Sequence, residues 1–151
     1  MSAREEFEAI RADVLSLESR KEQAAQLRYR LEPRGQQLGS IGHGAGSDFT
    51  STSNAIMQLE QALEVEQAEL YQRLERATAI LYGADGRGGL ASIAGATVAD
   101  CIHGYYLQGM SWQEVGRELT DGDRPADYAR YKAQRGLTLI DRYGAAYLRE
   151  R

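Results

Sequence analysis

The sequence has little of what cross-links a chain or interrupts a helix. It contains one cysteine, Cys101, and two prolines, Pro33 and Pro125. A single cysteine excludes an internal disulfide and fits a reducing cytoplasm. Because proline is the residue that most strongly breaks helices, the long stretch between the two prolines is free to be helical.

Long apolar runs are also missing. The first residues, MSAREEFEAIR, are charged from the fourth position, which is unlike a secretory signal. No apolar run approaches the ~20 residues that a membrane-spanning helix needs. We therefore expect a soluble cytoplasmic protein with no membrane partner.

Side-chain sets that perform catalysis or bind metals are lacking too. Cys101 and His103 are two positions apart, which on a helix points them about 200° from each other, so they cannot act as nucleophile and base. One cysteine and two histidines do not make a tetrahedral zinc site without carboxylates at a suitable spacing. The glycine-rich segments GADGRGG and GHGAG follow no strand and do not end in Gly-Lys-Ser/Thr. We expect neither enzyme activity nor a cofactor.

What the sequence does contain is two long amphipathic segments, residues 4–32 and 53–82. In each segment apolar residues recur every three or four positions, which is the period of one helix face. In the first segment these residues are Phe7, Ile10, Val14 and Leu17. In the second they are Ile56, Leu59, Leu63, Leu70, Leu74, Ala77 and Leu81.

The two segments predict an all-α fold with a long antiparallel helical hairpin, residues 1–82. Residues 33–54 contain five glycines and predict a flexible linker inside the hairpin. The hairpin's narrow apolar stripes can be covered by a second copy of the chain or by the C-terminal domain of the same chain. Residues 83–96, GADGRGGLASIAGA, predict a glycine-rich joint before that domain.

Residues 97–151 predict a helix-turn-helix domain. Thr97 and Asp100 are spaced as a variant capping box at the start of a first helix, and Gly109 is a natural C-terminal cap. Ser111 opens the next helix at once, with Glu114 three positions later completing a full capping box. Trp112 and Val115 can then pack against Ile102 and Tyr106.

A third helix is predicted after TDGD, with Pro125 in its first turn, where proline is favoured. Residues 124–151 carry seven basic and three acidic side chains, an asymmetry typical of nucleic-acid binders. Projected on a helix, the core side is Ala126, Ala129, Ala133, Leu137 and Ile140. The opposite side is Arg124, Tyr128, Tyr131, Lys132 and Arg135, and Arg130 falls near the core boundary.

In a helix-turn-helix the third helix enters the major groove, where arginine side chains read base edges and other side chains contact phosphates. The side chains expected to contact DNA are Ser111, Gln113, Arg124, Asp127, Tyr128, Tyr131, Lys132 and Arg135. The alternative is that the tyrosines complete a core and that the charges only confer solubility.

The stretch LQGMSWQEVGREL resembles the helix-turn-helix of ArpU/RinA-type phage transcriptional regulators, which is similar to region 4 of sigma factors. The likeness extends to GHGAGSD and SDFTSTSNAIMQLE, where that family has a Gly/Ser-rich stretch and then resumes its helix, and to the closing helix RYKAQRGLTLIDRYG. It implies a regulator of late phage or prophage genes that acts at promoter DNA and contacts RNA polymerase. One departure is TDGDRPADYAR, where the family has a serine followed by a valine-like residue.

These observations favour a sequence-specific DNA-binding regulator that binds double-stranded DNA as a homodimer. A phage small terminase subunit is one alternative, although such proteins usually place the DNA-binding module before the oligomerisation helices. A coiled-coil structural adaptor is another alternative.

Overall fold

A computed structural model describes the backbone of residues 1–31 and 45–151, and the side chains of residues 1–31 and 51–151. Within these ranges the protein is all-α, as predicted, with seven α-helices and no strand. The helices are α1 (Ala3–Leu31), α2 (Ala45–Tyr82), α3 (Gly89–Ala94), α4 (Ala96–Ile102), α5 (Trp112–Glu118), α6 (Ala126–Tyr143) and α7 (Ala145–Glu150). A π-helical segment, His103–Leu107, continues α4. No helix in the described residues is both long and apolar enough to cross a bilayer.

Helix α1 begins with a capping box that the sequence analysis did not identify. The Ser2 hydroxyl oxygen accepts a hydrogen bond from the Glu5 backbone N–H at 3.2 Å, and the Glu5 carboxylate accepts one from the Ser2 backbone N–H at 3.0 Å. Two amides that lack helical partners are thereby satisfied. The helix ends at Leu31, two residues before Pro33, as the proline predicts.

Helix α2 is longer than predicted. It begins at Ala45 rather than at Ser53, so residues 45–54 of the predicted linker are helical. Glycine, serine and threonine lower helix propensity by at most ~1 kcal/mol each, and a helix that continues for many residues can include them. The rest of the predicted linker, residues 33–44, lies outside the described residues.

The described helices divide into two compact units, and both long helices contribute to both units. The smaller unit, residues 16–69, has its described buried apolar side chains at Leu17, Ala24, Ile56 and Leu63. Two ion pairs lie within it, Arg20–Glu66 at 2.5 Å and Arg28–Glu60 at 2.6 Å. All four charged side chains are partly exposed, so these pairs contribute little stability.

The larger unit comprises residues 1–15 and 70–151. It includes both ends of the predicted hairpin, residues 1–82, together with the C-terminal helices. The first turns of α1 pack on the C-terminal helices: the Phe7 ring meets the Tyr106 ring edge-on at 5.9 Å, and the Asp141 carboxylate accepts a hydrogen bond from the Ala3 backbone N–H at 2.8 Å. The predicted stripe residues Phe7, Ile10 and Val14 are buried. The C-terminal helices of the same chain therefore contact the start of the stripe, at Phe7.

The predicted joint at residues 83–96 contains a helix, α3, whose Leu90 is fully buried. Helix α4 begins after Gly95, and no side chain caps its first turn, so the predicted capping box of Thr97 and Asp100 is wrong. The Asp100 carboxylate instead accepts a hydrogen bond from the Tyr82 hydroxyl at 2.5 Å. A tertiary partner has displaced the local one.

Candidate nucleic-acid interface

The turn before α5 contains the predicted left-handed glycine and the predicted serine N-cap. Gly109 has a φ of +74°, a left-handed conformation that favours glycine, and the next amide, Met110 N–H, donates to the Gly104 carbonyl at 3.0 Å. Ser111 is the N-cap of α5, and its hydroxyl oxygen accepts from the Glu114 N–H at 3.2 Å. The Glu114 carboxylate accepts from the Ser111 hydroxyl at 3.1 Å rather than from the backbone, so only half of the predicted box forms.

Trp112 holds this turn by stacking on Tyr105. The two rings are 3.7 Å apart and almost parallel, at 8°, whereas Tyr106 meets Trp112 edge-on at 6.1 Å. Val115 is fully buried, as predicted, and Trp112 is half-buried. The predicted Trp112–Tyr106 contact is therefore present, but the closer aromatic partner is Tyr105.

Arg11 of α1 contacts the same turn. Its guanidinium carbon lies 3.7 Å from the centroid of the Tyr105 ring, and its Nη1 donates to the carbonyls of Tyr105 and Met110, the latter at 3.0 Å. These carbonyls lie where the π-helical segment ends, a place that favours a positive charge. Arg11 was not predicted from the sequence, because no local pattern connects it to residues about ninety positions away.

Helices α5 and α6 are joined by a tight crossing at Gly116. A Cβ atom on Gly116 would lie 2.4 Å from the carbonyl oxygen of Arg124, and the Arg124 N–H donates to the Gly116 carbonyl at 2.9 Å. The connection from Leu119 to Pro125 is longer than the three or four residues of a typical helix-turn-helix turn. Pro125 is the N-cap of α6 rather than part of its first turn, which corrects the predicted start.

The two sides of α6 separate much as predicted. Its buried residues are Ala129, Ala133, Gly136, Leu137 and Ile140, and Ala126 is half-buried. On the other side Arg124, Tyr131 and Arg135 are exposed, and Tyr128 and Lys132 are half-buried. The alanines and Gly136 on the inner side are buried because their small size lets α4 and α5 pack closely on α6. We call the five residues Arg124, Tyr128, Tyr131, Lys132 and Arg135 the outer face; Arg124 precedes the Pro125 N-cap, and the other four lie on α6.

Two cations of the outer face lie near the Tyr128 ring. The Arg124 guanidinium carbon lies 5.1 Å from the centroid of that ring and the Lys132 ammonium 5.4 Å. Asp121 faces the same group: its carboxylate accepts from the Tyr128 hydroxyl at 3.2 Å and lies 3.6 Å from Arg124 Nε. Because the Arg124 and Asp121 side chains are about half exposed, solvent screens this pair and a phosphate can compete for Arg124.

The remaining predicted positions are accessible but dispersed. Gln113 is exposed on α5, and the Asp127 side chain is 94% exposed beside Arg130, at 4.0 Å. The Arg130 side chain is 51% exposed and lines a groove together with Tyr106 and Trp112. The charge of Asp127 opposes phosphate binding at that point.

Burial shifts the pKa values of three titratable groups near the turn. Burial raises the pKa of the Cys101 thiol to about 11, which keeps it protonated and unreactive at neutral pH. Burial also lowers the pKa of His103, although the nearby Asp100 carboxylate works in the opposite direction, and it raises the pKa of Tyr106. Among the residues that the structure describes, no three His, Cys, Asp or Glu side chains are arranged to hold a metal ion.

Comparison of the chain with protein-family models, with curated proteins and with solved structures finds no match. The geometry of α4 to α6 therefore carries the functional argument.

Proposed function

We propose that this protein is a sequence-specific DNA-binding regulator of transcription, in which α5 and α6 are the helix-turn-helix pair and α6 enters the major groove. The observation that carries the proposal is the outer face of α6. It presents Lys132 and Arg135 beside tyrosines, on a helix whose other side is buried, and Arg124 lies immediately before the N-cap of that helix. An α-helix fits the width of the major groove, and arginine is the residue that most often reads guanine there.

The details beyond this site follow the resemblance of LQGMSWQEVGREL to ArpU/RinA-type regulators. On that basis the DNA is a phage or prophage promoter that controls late genes, and RNA polymerase is a further partner. The ion pairs Arg20–Glu66 and Arg28–Glu60 support an antiparallel hairpin of α1 and α2, because positions rise in one helix as they fall in the other. Partly exposed apolar side chains in the same segment, Leu27, Met57 and Val65, support a homodimer that covers them.

A structural adaptor is the second candidate, and one observation favours it. Phe7 and Arg11 of α1 pack on Tyr105 and Tyr106, so the C-terminal helices also serve to complete the packing of the long helices. Acidic side chains at Asp121 and Asp127, next to the cations of α6, weaken the positive potential that a DNA-binding helix needs.

The two candidates are separated by selecting bound sequences from a random duplex library at near-physiological salt. We expect the wild-type protein to enrich a motif, and Arg135→Ala to lose or blur it. Arg124→Ala should relax sequence preference by roughly 1–3 kcal/mol if Arg124 reads a base, whereas Lys132→Ala should weaken binding to all sequences alike. Arg87→Ala, which removes an exposed arginine from the turn between α2 and α3, is the matched control and should leave the motif unchanged.

A flat profile for the wild-type protein, even at low salt, would contradict the regulator and leave the adaptor. An enriched motif that survives Arg124→Ala, Lys132→Ala and Arg135→Ala would keep DNA binding but move the reading surface away from the outer face.

A further inference from the structure

A groove of about 560 Å³ lies beside α6, on the flank next to its outer face. Helix α1 forms one wall with Arg4, Glu8 and Arg11, and α6 forms the other with Arg130 and Gln134. Tyr105, Tyr106 and Trp112 also line it. All of these residues belong to the larger compact unit.

The groove carries more positive than negative charge. Three arginines line it, and the acidic side chain among its lining residues is Glu8, which pairs with Arg4 at 3.0 Å. Asp127 is not one of the lining residues, but its carboxylate lies 4.0 Å from Arg130. The four side chains of these pairs are all more than half exposed, so solvent and salt screen both pairs. An anion that binds Arg4 and Arg130 together can therefore displace Glu8 from Arg4 and Asp127 from Arg130.

The place of the groove on α6 limits what it can bind. Side chains three and four positions apart are neighbours on a helix, so Gln134 is next to both Arg130 and Tyr131 of the outer face. A helix with its side chains is about 10–12 Å across and fills a major groove about 12 Å wide. The flanks of such a helix therefore face the sugar-phosphate strands rather than the base edges.

We propose that this groove binds the DNA phosphate backbone, with Arg130 of α6 and Arg4 of α1 as its two phosphate-binding side chains. Arg11 acts as a positioning residue, because its guanidinium is engaged by Tyr105 and by the carbonyls of Tyr105 and Met110. This inference rests on the proposed DNA-binding function and deepens it, since it assigns the start of the chain to the DNA interface.

The test measures duplex affinity by fluorescence anisotropy over a series of salt concentrations, for the full chain and its variants. Each lost phosphate contact lowers the slope of log affinity against log salt by about 0.9. We expect Arg4→Ala and Arg130→Ala each to lower the slope by about one and to weaken all duplexes several-fold, without altering sequence preference. Arg130→Lys keeps the charge and should retain most of the slope.

A substitution that should strengthen binding separates phosphate binding by the groove from a loss of folding. Glu8→Gln removes the competing carboxylate from the groove and should tighten binding to every duplex, whereas Arg87→Ala should change neither affinity nor slope. Wild-type binding with slopes unchanged in Arg4→Ala and Arg130→Ala would overturn the groove proposal alone, and would leave the groove to an acidic polypeptide. Absence of wild-type binding to any duplex would overturn the regulator as well.

Discussion

At the scale of single residues, Arg11 connects helix α1 to the turn that precedes α5. Its guanidinium contacts the Tyr105 ring and two carbonyls where the π-helical segment ends. The turn at that point sets the direction of α5. Hydrogen bonds that involve a charged donor are about twice as strong as neutral ones. The geometry of the candidate interface therefore depends on a residue that sequence patterns near the interface do not reveal.

His103 gives the residue-scale prediction, which concerns pH. Burial lowers its pKa in the folded state, so the unfolded chain, with an ordinary histidine pKa near ~6.5, binds the proton more readily. The stability contributed by neutral His103 is present above ~6.5 and is lost as the pH falls through the lowered folded value. We expect the free energy of unfolding to fall between about pH 7.5 and about pH 5.5, and to fall less in His103→Gln.

The charged and titratable groups facing His103 are Asp100 and Tyr82, whose ring lies 5.9 Å away. Urea denaturation at the two pH values measures the effect, and the difference between them cancels any constant cost of losing the ring contact. Equal pH dependence in the wild type and His103→Gln would show that His103 contributes no pH-dependent stability.

At the scale of elements, the short helix α5 depends on its ends. It spans seven residues, and helices of this length do not form in isolation. The Ser111 side chain caps its first turn, and Gly116 packs closely against the backbone of Arg124 and Pro125, just before α6. Local capping and one close backbone approach together set the angle between the two proposed DNA-binding helices.

Ser111→Ala should therefore destabilise the protein by about 1 kcal/mol, since it removes the acceptor for the Glu114 amide. Ser19→Ala, at an exposed position inside α1, is the matched control. It should be neutral or slightly stabilising, because alanine has the higher helix propensity. Urea denaturation measures both variants, and equal losses in the two would show that the cap contributes nothing specific.

At the scale of the whole molecule, the C-terminal helices and the first turns of α1 belong to one compact unit. Phe7 is 1% exposed and packs on Tyr106, and Asp141 of α6 accepts from the Ala3 amide. A DNA-binding domain that begins at residue 97 would lose these contacts. The larger unit should therefore unfold as one, including the candidate interface.

Phe7→Ala tests this coupling in the full chain. Truncation of a buried phenylalanine costs about 3–5 kcal/mol, and Trp112 is the one tryptophan of the chain, so its fluorescence reports on the C-terminal helices. We expect the Trp112 transition in urea to shift to much lower concentration. Glu18→Ala, at an exposed position of α1, should shift it little. An unchanged transition in Phe7→Ala would mean that the C-terminal helices fold independently.

The sequence by itself determined the features that rest on short-range chemistry. Helical periodicity, the end of α1 before Pro33, the left-handed Gly109, the Ser111 cap and the buried side of α6 all follow from residues within a few positions of one another. Most of the outer face of α6 follows from the same periodicity. Those features account for the all-α class and for the position of the candidate site.

Only the tertiary structure decided what depends on residues far apart in the chain. Asp100 bonds to Tyr82 instead of capping α4, Arg11 and Phe7 join the C-terminal helices, and Arg130 faces a groove whose other wall is α1. The physical reason is the same in each case: burial and hydrogen bonding between distant segments add to local propensity or override it, and a single sequence records no distance between those segments.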